Sequence, residues 1–116
     1  MTREFVRLFE FEKQCKNIGL SEDDILGIEI RLLADPLIGR MIQGTGGLRK
    51  LRIALPNREK SSGARIIYVD FDDFSKTYFI TAYIKGKMDT LSNAEKNELK
   101  SLIGTLKSEL RKKGER

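Results

Sequence analysis

The sequence predicts an α+β fold: a two-layer domain in β-α-α-β-β-β-α order, with an antiparallel sheet and its helices packed on one face. Three observations lead there. Apolar residues alternate with a period of two over 48–55, 64–71 and 77–84, the spacing of strands. They recur at helical spacing over 9–17, 25–33 and 99–110. Capping residues, glycine and proline stand at the boundaries between these stretches. The 116 residues suffice for a single domain, 1–116, and not for two.

The elements follow in order. Phe5, Val6 and Leu8 make a short strand over 3–8. From Phe9 to Asn17 the pattern turns helical, with Phe11, Cys15 and Ile18 near one face and Gly19 as the stop. Ser21-Glu22-Asp23-Asp24 starts the second helix: Ser21 caps, Asp24 stands at the third position of a capping box, and three carboxylates face the positive helix end. Ile25, Ile28, Leu32 and Leu33 continue it until Asp35, where Pro36 disfavours α geometry in the residue before it. Gly44-Thr45-Gly46-Gly47 lacks the Lys-Ser/Thr ending of a phosphate-binding loop, so it reads as a tight turn with positive φ.

In the strand over 48–55, Leu51, Ile53 and Leu55 face the core and leave Lys50 and Arg52 on the opposite face. Residues 56–63 form a polar loop carrying Arg58 and Lys60. In 64–71, Arg65, Ile67, Val69 and Phe71 share one face, and Ile66 and Tyr68 the other. Residues 72–76 join this strand to the next as a hairpin loop, and Lys85-Gly86-Lys87 closes the second strand. Leu99, Leu102, Ile103, Leu106 and Leu110 mark an amphipathic helix over 92–111.

Composition removes whole classes of function. With no histidine, the chain has no His-ligated zinc or haem and no Ser-His-Asp triad. Its lone Cys15 forms no internal disulfide and reads as a small core residue. The apolar runs are too short for a membrane span, and the charged N-terminal stretch has no signal-peptide pattern. A cytoplasmic protein with no cofactor and no metal is the expectation.

Positive charge is concentrated. The net charge is +5, yet residues 40–68 hold seven basic side chains and one acidic, while residues 1–39 hold five basic and eight acidic. Such an asymmetric field suits a polyanion; the competing role is a solubilising surface. The strands should display Lys50, Arg52, Lys60, Arg65, Lys85 and Lys87 on one face or its rim. Tyr68 and Tyr83 offer rings on which bases could stack, although strand tyrosines are more often packing residues. RNA carries its own nucleophile, the 2′-OH. Crowded lysines can supply a neutral amine as base, and arginines can hold non-bridging oxygens.

Three stretches carry a family resemblance. Ile42-Gln-Gly-Thr-Gly-Gly-Leu-Arg-Lys-Leu-Arg52, Lys60-Ser-Ser-Gly-Ala-Arg-Ile-Ile-Tyr68 and Tyr83-Ile-Lys-Gly-Lys-Met88 resemble the HigB-like branch of the RelE/ParE toxin superfamily. Asp35-Pro36 and the closing helix over 91–110 are similar as well. The resemblance implies a RelE-like domain acting as the toxin of a bacterial type II toxin–antitoxin system. It implies a ribosome-dependent, metal-independent endoribonuclease that cuts mRNA in the A site by 2′-OH attack and so inhibits translation.

Carried over by position, the resemblance makes Arg65 the phosphate-stabilising arginine and places Arg52, Lys60 and Lys85 beside it as catalytic residues. Lys50, Arg58, Lys87, Tyr68 and Tyr83 are then RNA-binding. The implied partners are a helix-turn-helix antitoxin, through which operator DNA is reached, and the ribosome with its mRNA. Two departures stand out: the 58–63 loop is less basic than in many relatives, and Met88-Asp89 lies where a C-terminal tyrosine is expected. The identity of the general base stays open. The alternative is a non-enzymatic gyrase poison of the ParE kind, or an inactive RNA- or DNA-binding subunit.

Overall fold

The computed structural model describes residues 2–55, 63–84 and 91–114. The chain runs β1 (Glu4–Arg7), α1 (Phe9–Ile18), α2 (Glu22–Ala34), β2 (Arg40–Met41), β3 (Arg49–Ile53), β4 (Ala64–Phe71), a 3-10 turn (Asp72–Phe74), β5 (Lys76–Ile84) and α3 (Asn93–Gly114). This is the expected α+β architecture and order, with the short strand β2 added. The five strands form one sheet in the order β1-β5-β4-β3-β2. β2 through β5 pair antiparallel in succession, whereas β1 lies parallel to β5. No helix among the described residues is long and apolar enough to cross a membrane.

Local chemistry sets the helix boundaries. Gly19 ends α1 at φ 83°, a left-handed conformation that costs glycine little. Ser21 Oγ accepts from the Asp24 N–H while Asp24 accepts from the Ser21 N–H, closing the capping box of α2. Gly44, Gly46 and Gly47 take positive φ in the turn before β3, as their spacing suggested.

Two apolar layers flank the sheet. Phe11, Cys15, Ile25, Ile28 and Leu32 of α1 and α2 pack on Leu51, Ile66, Tyr68, Phe79 and Ala82. The helices of this layer lie on one face. Ile103 and Leu110 of α3, with Leu99, Leu102 and Leu106, pack on Ile67, Val69, Ile80 and Tyr83, which point the other way. The third helix therefore covers the reverse face. Its amphipathic pattern identified the apolar side but carried no information about which face of the sheet would receive it.

Tyr68 is a structural residue, which corrects its assignment to RNA binding. It is fully buried under α2, its hydroxyl donates to Pro36 O at 2.8 Å, and it accepts from the Gly39 N–H at 2.9 Å. A Cβ on Gly39 would stand 2.7 Å from the Tyr68 ring and 2.8 Å from its oxygen, so only glycine lets the chain approach this closely. Burial raises the phenol pKa, which suits a hydroxyl that donates to a carbonyl.

α2 also leaves an apolar stripe uncovered. Leu26, Ile30 and Leu33 recur at helical spacing on its outer side, and Leu37 and Ile38 continue the exposed surface.

Candidate functional site

The site grows out of strand register. Arg52 of β3 lies opposite Arg65 of β4, and Arg65 lies opposite Tyr83 of β5. Two residues along, Lys50, Ile67 and Thr81 form the next row. Because Leu51 and Ile66 point into the α1/α2 layer, alternation turns both rows toward α3. The Ile42 N–H donates to Leu48 O, which sets the ladder phase so that the Arg52 backbone faces the open edge of β3. Arg52 and Arg65 thus form a non-hydrogen-bonded pair, the closer kind, about 4.5 Å apart at Cα.

Like charges directly opposite each other weaken a sheet. Among the described residues neither Lys50, Arg52 nor Arg65 has a carboxylate within salt-bridge distance. Arg65 is only 6% exposed, and among the described residues its hydrogen bond is a long one from Nη1 to Ala64 O at 3.3 Å. Arg52 is exposed and Lys50 half-buried, so the row presents a graded cationic surface. Its neighbour Arg49 turns the other way and donates to the carbonyls of Leu37 and Gly39.

Two clefts border this row. A cavity of about 450 Å³ opens between the first turns of α3 and the sheet, with Lys50, Thr81 and Tyr83 on one wall and Glu98, Leu99 and Leu102 on the other. At the open edge of β3, Arg31, Ile38, Arg40, Lys50, Leu51 and Arg52 line a second cleft, with no acidic residue among the described ones. The described residues contain no group of three His, Cys, Asp or Glu side chains able to hold a metal ion.

The structure thus brings Lys50, Arg52, Arg65 and Tyr83 together and sends Tyr68 to the opposite face. Arg58, Lys60, Lys85 and Lys87 lie outside the described residues.

Among solved structures, the fold is similar to that of an arginine-to-alanine double mutant of the E. coli toxin RelE in the free state, with a TM-score of 0.59 at 16% identity. The match covers 84% of this chain and 97% of that one. This chain has the RelE fold. No family model matches the sequence. Within the RelE-like frame, sequence reasoning missed Thr81, Glu98, Arg31 and Arg40. Helical spacing of Glu95, Glu98, Leu99 and Leu102 was the available signal for one wall of the cavity. For Arg31 and Arg40 there was none, because only the packing of α2 and the pairing of Arg40 with Lys50 bring them to the cleft that Arg52 lines.

Proposed function

We propose that this protein is the toxin of a bacterial type II toxin–antitoxin pair, of the HigB-like branch of the RelE/ParE superfamily. It acts in the cytoplasm as a metal-independent endoribonuclease on mRNA in the ribosomal A site. The observation that carries the reading is the Arg52–Arg65 pair: two arginines directly opposite on rigid strands with no carboxylate partner among the described residues. An unneutralised pair destabilises the free protein and suits a site that receives a phosphate.

The chemistry needs little more. The 2′ oxygen attacks the adjacent phosphorus, the bond to the 5′ oxygen breaks, and a cyclic phosphate and a free 5′-hydroxyl result. Arg65 and Arg52 hold the non-bridging oxygens as charge gathers on them. One lysine takes the 2′ proton and a second gives a proton to the leaving oxygen; Lys60 and Lys85 are assigned these parts. Cationic neighbours lower a lysine pKa and so favour the neutral base. Lys50, Arg58, Lys87 and Tyr83 bind flanking RNA.

The antitoxin is a helix-turn-helix protein. The exposed Leu26–Ile30–Leu33 stripe of α2 supports a protein partner, since contiguous apolar patches mark interaction surfaces. Primer extension on cellular mRNA after induction tests the reading. Codon-phased cuts are the expected result; intact mRNA with arrested gyrase supports the non-enzymatic alternative.

A further inference from the structure

The cavity under α3 adjoins the cationic row but differs from it in chemistry. Its floor is Ile67 and its roof Leu99 and Leu102, so the middle is apolar. Its rim carries Thr81 and Glu98, neither with a hydrogen-bond partner among the described residues. Glu95, also at the rim, accepts from the Ser92 N–H at 3.1 Å and so caps α3. Glu98 is therefore the carboxylate left to accept from a ligand. The volume of about 450 Å³ lies within the usual range for small-molecule sites.

We propose that this slot binds one nucleobase of the RNA whose phosphate sits on Arg52 and Arg65, and that Glu98 selects bases bearing an exocyclic amine. The inference rests on the endonuclease reading above and adds a specificity residue to it. A nucleobase is flat, apolar on its faces and polar on its edge, which matches apolar walls with a polar rim. The Lys50–Ile67–Thr81 row lies two residues, about 7 Å, from the Arg52–Arg65–Tyr83 row, a span that one nucleotide can bridge. Charge fixes the direction: Glu98 repels a phosphate from the slot while the arginines hold it at the mouth. A carboxylate only accepts hydrogen bonds, so it pairs with the exocyclic amine of adenine, cytosine or guanine, whereas in uracil the single N3–H donor is flanked by two carbonyl oxygens that repel it.

The test uses the purified full chain and 3′-nucleoside monophosphates, which carry the phosphate but no leaving nucleoside. Calorimetric titration should show 3′-AMP and 3′-CMP binding about tenfold tighter than 3′-UMP, the effect of one hydrogen bond to a charged acceptor. Glu98→Gln, at an exposed position, should bring the ratio close to one, because a carboxamide both donates and accepts. Amide shifts on binding should centre on Thr81, Leu99 and Leu102. Equal binding of all monophosphates by the wild type, or a preference untouched by Glu98→Gln, overturns the slot even if mRNA is still cleaved. Conversely, base-selective binding by a chain that leaves mRNA intact keeps the slot and overturns the endonuclease reading.

Discussion

At the β1 edge of the sheet, Arg3, Arg7 and Lys76 each meet a carboxylate; at the β3 edge, Arg31, Arg40, Lys50 and Arg52 meet none among the described residues. Arg3 bonds Asp70, which also accepts from Thr77 Oγ1 at 2.7 Å. Arg7 bridges Glu22 and Glu29 of α2, and these hydrogen bonds raise its pKa although burial works against its charge. Lys76 bonds Glu4 and holds that carboxyl below its usual pKa. The two edges use the same residue types for different ends. Paired cations fasten β1 and α2 to the sheet, whereas those at the β3 edge, with no carboxylate partner among the described residues, leave their charge available to a ligand.

The largest expected effect lies on the paired side. Asp70→Ala leaves Arg3, whose side chain is only 7% exposed, with the long 3.5 Å contact to exposed Asp72 as its remaining carboxylate among the described residues, and it removes the acceptor of the Thr77 hydroxyl. Removing one member of a buried pair costs roughly 3 kcal/mol, which lowers the melting temperature by about 10 °C. Calorimetry showing an unchanged melt would dissolve the distinction between the edges.

Next comes Arg65→Ala. On the proposed chemistry its loss slows cleavage by about 10²–10³, by analogy with deleting one oxyanion donor. Single-turnover cleavage on programmed ribosomes measures this, with a thermal melt to show that the variant is folded. A folded variant cutting at the wild-type rate removes Arg65 from the site.

Arg52→Ala is a smaller change, and it sharpens the comparison most directly. Stability should shift by less than about 0.5 kcal/mol, because the side chain is exposed and has no ion pair among the described residues. RNA affinity should fall across all sequences, and the slope of log affinity against log salt should flatten by about 0.7. A melt lowered as far as that of Asp70→Ala would show that Arg52 is a fastening residue after all.

The smallest effect concerns Cys15, away from both edges. Burial pushes its thiol up from the ordinary 9.0 to about 11. A raised pKa favours the neutral thiol, so its contribution to stability is complete below pH 9.0 and is lost as pH rises through about 11. Iodoacetamide at pH 8 should label the urea-unfolded chain and spare the native one. Rapid labelling of native protein would contradict the burial.

Much of this was legible because strand and helix periods are local properties. The capping box at Ser21, the stop before Pro36 and the inward set Leu51, Ile28 and Leu32 all follow from neighbours in the chain. So did the placing of Arg52 and Arg65 on one side of their strands. What escaped was long-range. Nothing in Glu4–Arg7 announces a parallel partner some seventy residues away, and β2 has only two residues. For Tyr68 packing is the favoured role in the sequence, but the anchors of its hydroxyl, Gly39 and Pro36, lie some thirty residues away in the chain. The outward direction of Tyr83 was the least readable of all, since it depends on an irregularity in β5.

That irregularity lies at Ile80. Tyr68 pairs with Phe79 and Ile67 with Thr81, leaving Ile80 as an extra residue in β5. Phe79 and Ala82 consequently point to the same side of the sheet, and the even–odd rule is inverted for the remainder of the strand. β5 thus works as two half-strands of opposite phase, the first set by the core and the second by the site. Regular pairing of the same residues, with no bulge, would rotate the second half by a pleat, turning Ala82 toward α3 and the Tyr83 ring toward α1. The bulge at Ile80, rather than any particular side chain, therefore decides which face carries the aromatic ring beside Arg65.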